Sequence, residues 1–106
     1  MPKYLIQASY TQEGLKGLLK EGGTSRRSAV EQLARGLGGS IEAFYYAFGD
    51  ADVFVIVDMP DDATASAIAL TIGATGSVSL KTTVLITPET VDDAVKKTVD
   101  YRPPGA

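Results

Sequence analysis

The segment that most constrains this chain runs from Phe44 to Pro60, FYYAFGDADVFVIVDMP. Two apolar arms, rich in aromatic and β-branched residues, flank the polar break Gly49-Asp50-Ala51-Asp52. That pattern predicts a β-hairpin. Both arms are apolar at nearly every position, so both faces of the hairpin need cover. The chain's own helices can cover one face. The other needs something else, and a second copy of the chain is the simplest candidate.

The rest of the composition narrows the function classes. The 106 residues fit one domain, expected over 1–100 with 101–106 as a flexible tail. Hydrophobic residues make up 44% and charged ones 22%, a globular rather than disordered balance. The net charge of -3 and the scattered basic residues speak against nucleic acid as a partner. There is no cysteine and no histidine. That removes disulfides, thiolate chemistry and a Ser-His-Asp triad, and leaves no expectation of a metal or other cofactor. The opening MPKYLIQASY has no charged head followed by a long apolar run, and no apolar stretch approaches the roughly 20 residues of a membrane span. The expectation is therefore a cytoplasmic protein with no membrane partner.

Periodicity and punctuation give the element order. Lys3–Ser9 reads as a strand. Thr11 is placed to cap a helix through Glu21, with Leu15, Leu18 and Leu19 on one face. Gly22-Gly23 breaks it. A second helix is expected over about Ser25–Leu37, with Val30, Leu33, Ala34 and Leu37 as its apolar stripe, and with Ser28 and Glu31 spaced as a capping box. Gly38-Gly39 ends it, and the hairpin occupies Ser40–Asp58. Pro60-Asp61-Asp62 opens a third helix that ends between Gly73 and Gly76. Ser77–Ile86 is a fourth strand. Thr87-Pro88 opens a last helix carrying Val91, Ala94, Val95 and Thr98 on one side. The order β-α-α-β-β-α-β-α contains the split βαβ pattern. The fold class is thus α+β, a ferredoxin-like sandwich with extra helices and a four-stranded antiparallel sheet.

Strand alternation sorts residues by face. Tyr4, Ile6, Ala8, Ile41, Ala43, Tyr45, Val53, Val55, Val57, Val78 and Leu80 form one set, mostly small or branched, suited to packing under helices. The other set holds Gln7, Phe44, Tyr46, Phe48, Phe54, Ile56 and Lys81. Phe44, Phe48, Phe54 and Ile56 on a helix-free face are candidates for an interface between copies, since covering such a cluster gains several kcal/mol at roughly 25 cal/mol per Å². Lys81, Gln7 and Tyr46 among them suggest that the interface encloses a partly polar cavity. The sorting assumes an unbroken pleat, and a bulge at Gly49 or Asp52 would swap everything after it.

The candidate ligand-binding residues are Tyr46, Lys81, Asp52, Gln7 and Arg27. Tyr46 as a hydrogen-bond donor and Lys81 as an anion holder make the best chemical pair. Asp52 suits either a carboxylate base or turn capping, and Gly49 suits a positive φ. Arg26 and Arg27 near a helix start could bind a carboxylate or phosphate, or could form surface or intersubunit ion pairs. Asp61-Asp62 and Asp92-Asp93 read as helix caps rather than metal ligands. No set of residues identifies a catalytic centre.

Thr11 and Gly14, Arg27, Gly38-Gly39, Phe44-Tyr45, Gly49, Asp52, Pro60-Asp61-Asp62, Ala67–Leu70, Gly76 and Val78 form an ordered set over most of the chain. Through them the chain resembles the GYD-domain proteins, small prokaryotic proteins named for a Gly-Tyr-Asp motif at this hairpin. Here Ala51 stands where the signature tyrosine is expected. The resemblance implies a dimeric α+β barrel, in which two ferredoxin-like sheets face each other. The function expected is a homo-oligomer, a homodimer or larger, that binds a small ligand or serves as an assembly module. The alternative is a cofactor-independent, monooxygenase- or isomerase-like enzyme acting on a small aromatic or carbonyl compound.

Overall fold

Eight elements follow one another in a computed structural model that describes residues 1–106. They are β1 (Lys3–Tyr10), α1 (Gln12–Glu21), α2 (Gly23–Gly36), β2 (Ser40–Tyr46), β3 (Val53–Asp58), α3 (Asp62–Ala74), β4 (Val78–Leu85) and α4 (Pro88–Val95). The strands form one antiparallel sheet in the order β2-β3-β1-β4. This is the ferredoxin-like arrangement, with β1 and β3 central and the hairpin partner β2 at one edge. No helix is long and apolar enough to cross a membrane.

The helix starts follow local chemistry. Thr11, Asp61 and Thr87 each accept a hydrogen bond from a backbone N–H three residues on, and so cap α1, α3 and α4. Pro88 occupies the first turn of α4. Helix α2 differs. It begins at Gly23 rather than near Ser25, its cap residue Gly22 offers no side chain, and Ser28 lies inside the helix, so the Ser28–Glu31 capping box does not form. Gly22 also ends α1, at φ 85°, a left-handed conformation that glycine adopts without steric cost. One residue therefore joins two helices.

The buried core lies between α2, α3 and one face of the sheet. Tyr4, Val57 and Met59 meet Ala34 of α2 and Ala65 and Ile68 of α3, and a second group forms around Ala8, Val53 and Val55. The Tyr4 hydroxyl reaches the Asp62 carboxylate. That bond, together with burial, pushes the Tyr4 phenol up to about 12. The other sheet face carries no helix. Helix α4 buries none of its side chains, and Val91, Val95, Val99 and Tyr101 are all exposed. The Cα radius of gyration is 17.1 Å with a longest extent of 57 Å, against about 13 Å for a compact chain of 100 residues.

Pairing of β2 with β3 shifts between Ile41 and Ala43, leaving Glu42 as an extra residue on the edge strand. This bulge reverses the expected parity of the rest of β2. Phe44 pairs with Val55 and Tyr46 with Val53, so both aromatics lie under the helices, while Ala43 and Tyr45 turn to the open face. The bulge sits at Glu42 and not at Gly49 or Asp52. Two effects favour it. It half-buries two aromatic rings under the helices, and it lets Glu42 and Asp58 both reach the Lys3 ammonium at 2.9 Å. These hydrogen bonds raise the Lys3 pKa.

Candidate functional site

Between the helix face of the sheet and helices α2 and α3 lies an apolar chamber of about 90 Å³. Seventeen residues line it and fifteen are hydrophobic. The floor is made by small or branched strand residues such as Ile6, Ala8, Val55 and Leu80, and the roof by Val30, Leu33, Ala69 and Ile72. Strand alternation assigns these floor residues to the helix side, whereas Phe44, assigned by it to the other face, lines the chamber too. The floor residues are small enough that the helices do not close completely on the sheet. The two lining residues that are not hydrophobic are Arg26 and Thr82.

At one end the chamber meets a wider cleft of about 330 Å³ beneath α1. Tyr10 and Arg26 border both spaces. Glu13 and Glu21 of α1 lie on the cleft side. Arg26 Nη1 is 3.5 Å from Glu21 Oε2, an ion-pair distance, and the guanidinium makes no hydrogen bond. Tyr46 stands at the edge of this region and donates to the Gly23 carbonyl oxygen at 3.1 Å. Burial pushes its phenol up to about 12, the neighbouring Tyr10 adds to the shift, and Arg26 and Arg27 oppose it. Tyr46 is therefore a neutral donor at physiological pH.

The expected Tyr46–Lys81 pair does not form. Lys81 pairs with Gln7 across β4 and β1, on the open face, and the bulge puts Tyr46 on the opposite side of the sheet. On the open face a row runs Tyr45, Phe54, Gln7, Lys81 across the four strands. The row beside it is Ala43, Ile56, Leu5, Thr83. Phe54 and Ile56 thus lie on the helix-free face as expected, and Phe44 does not. Phe48 lies beyond β2 at the hairpin tip, its ring stacked on Tyr46 at 5.8 Å between centroids.

The hairpin tip also departs from expectation. The left-handed residue is Phe48, at φ 56°, and Gly49 has no positive φ. The stack on Tyr46 and the Ala47 N–H bond to the Asp52 carbonyl hold that conformation. Asp52 neither caps the turn nor stands free: its carboxylate accepts the Tyr10 backbone N–H at 2.8 Å and ties the hairpin to the end of β1. Arg27 faces outward beside β2 and pairs with Glu31 at 3.5 Å. No cluster of three or more His, Cys, Asp or Glu residues could hold a metal ion.

Of the two residues that border both spaces, the sequence offers Arg26 either as an anion binder or as an ion-pair partner, and the structure sets it beside Glu21. Tyr10 is not singled out, although it continues the Tyr4, Ile6, Ala8 alternation by one step. A protein-family model described as the GYD domain matches residues 4–95. The chain belongs to the GYD-domain family. Comparison with curated proteins and with solved structures gives no match. The GYD domain as matched takes in the whole sheet, the chamber, and α4 to its last residue.

Proposed function

We propose that this GYD-domain protein is a homo-oligomeric module that binds a small apolar molecule in the chamber of each copy. The observation that carries the binding function is the chamber itself, an apolar space with one arginine, Arg26, in its lining. Two copies would close their open sheet faces on each other, with Phe54, Ile56, Leu5 and Tyr45 as the apolar contact and Gln7 and Lys81 as polar contacts. This makes the assembly a dimeric α+β barrel.

Surface area supports the assembly. The chain exposes 7318 Å², while a compact monomer of its mass exposes about 5,700 Å². The excess of roughly 1,600 Å² is more than the ~800 Å² per partner of a standard interface. The segment from α4 to the C-terminus, exposed throughout, contributes to it.

Enzymatic proton transfer on a small carbonyl compound is the competing reading. It would need a proton acceptor at the chamber, and Glu13 and Glu21 line the outer cleft rather than the chamber wall. The test of the proposal joins light scattering to a thermal-shift screen of small apolar compounds. The expected results are a mass of at least twice 11.1 kDa and a raised melting temperature with compounds small enough for the chamber. A monomer at micromolar concentration would remove the assembly half of the proposal. A screen with no stabilising compound would remove the binding half.

A further inference from the structure

We infer that the chamber and its mouth form a site for a short aliphatic monocarboxylate, with the hydrocarbon end in the chamber and the carboxylate on Arg26. This rests on the ligand-binding reading above and names the ligand class.

Size sets the apolar end. The chamber volume of about 90 Å³ falls below the ~150 Å³ of a cavity that takes benzene. A three- or four-carbon branched group fits and an aromatic ring does not. Chemistry sets the other end. Apart from Arg26 the lining side chains that can donate are Thr82 and Tyr10, and Tyr10 borders the cleft too, so the head group stays at that end, where desolvation is incomplete. There the Arg26 guanidinium has donors to spare. Its neighbour Glu21 sits at 3.5 Å, outside the 2.7–2.9 Å of a charge-assisted hydrogen bond. A ligand carboxylate can take the fork in bidentate fashion and displace that loose pair.

The same mouth rejects other heads. An ammonium gains nothing from Arg26 and has to compete with it for Glu21. A dicarboxylate would place its second charge in the cleft lined by Glu13 and Glu21. An alcohol fits the chamber but brings one uncharged oxygen, which can neither take the guanidinium fork in bidentate fashion nor neutralise it.

The test is an amide NMR titration of the full chain with 3-methylbutanoate, 3-methylbutan-1-ol and 3-methylbutan-1-amine. The expected result is shifts at chamber residues such as Leu33 and Val55, with the acid binding at least tenfold tighter than the alcohol and the amine weakest. Arg26→Met keeps the apolar stem, so it should weaken the acid at least tenfold and the alcohol much less. Glu21→Gln removes the competing carboxylate and should tighten the acid severalfold. If Arg26→Met does not fold, Glu21→Gln still decides, because no tightening there overturns the assignment of Arg26. Equal binding of acid and alcohol, unaffected by either substitution, overturns the carboxylate class while leaving an apolar site. Absence of shifts with all three compounds overturns the chamber as a site altogether.

Discussion

The two faces of the same sheet use apolar residues in opposite ways. Along β3, Val53, Val55 and Val57 point under the helices and are buried, while Phe54 and Ile56 between them point to the open face and are only half-buried. The larger side chains are thus on the uncovered side. Across the sheet, Ala8 and Val55 face the chamber, and Leu5, Tyr45 and Phe54 face outward. The helix side is not small throughout, since Tyr4, Phe44 and Tyr46 lie there as well, but Ala8 and the β3 valines leave the chamber above them. The open side carries Phe54 and Ile56 with no helix of the chain over them. One face encloses a space, and the other stays uncovered within the chain.

Opposite substitutions on adjacent residues give the sharpest way to break this comparison. Val55→Asp puts an unpaired carboxylate in the core and should prevent folding, since burial of a charge without a partner costs more than a small domain's stability margin. Ile56→Asp should leave a folded chain by circular dichroism but reduce the mass in light scattering to that of a monomer. If Ile56→Asp also unfolds the chain at low concentration, the open face is part of the fold rather than an interface.

Truncations give a smaller and graded contrast. Met59 is fully buried, so Met59→Ala should cost about 2–5 kcal/mol in urea unfolding. Leu5→Ala should cost little unfolding free energy in the Ile56→Asp monomer, and should cost more in the assembled protein. Equal costs in the two backgrounds would mean that nothing covers Leu5.

The smallest contrast lies in two adjacent tyrosines. Tyr46→Phe loses the bond to the Gly23 carbonyl, worth about 1 kcal/mol, and Tyr45→Phe loses no intrachain hydrogen bond. The pH dependence separates them further. The Tyr46 phenol is held at about 12 in the folded chain and ordinarily sits near 10. Its contribution is complete below pH ~10 and is lost as pH rises towards about 12, because the unfolded chain gives up the proton first. Tyr46→Phe should therefore flatten the fall of stability over that window, with the Tyr4 share of the slope remaining. Measured slopes that do not change with Tyr46→Phe would place its phenol in water.

Much of the architecture was legible because it rests on local chemistry. Thr11, Thr87 and Pro88 mark helix starts by hydrogen bonding and ring geometry that involve only near neighbours. The order of strands and helices, and with it the ferredoxin-like class, follows from period and punctuation. The parity of β2 was not legible, because a bulge is one residue that drops out of pairing and Glu42 has nothing to distinguish it from its neighbours. That single shift moves Phe44 and Tyr46 across the sheet and separates Tyr46 from Lys81. The φ of Phe48 was hidden for a related reason. A glycine next in the chain is the natural expectation, and the stack that holds Phe48 depends on where the bulge has already put Tyr46. The chamber itself depends on how far two helices stand from a sheet, a sum over many side chains that alternation does not measure.

The shared glycine between the first two helices has a mechanical consequence. Helix α1 roofs the outer cleft and buries no side chain of its own, and a single residue at φ 85° ties it to α2. The absence of a Cβ lets the chain reverse there without steric cost. The far end of α1 is fastened separately, where Thr11 gives both its N–H and its hydroxyl to the Ser77 carbonyl, at 3.0 and 3.1 Å. Gly14 lies so close to that carbonyl that a Cβ there would collide with it. The roof of the cleft is thus pinned at both ends, and a side chain at position 14 would have to lift it.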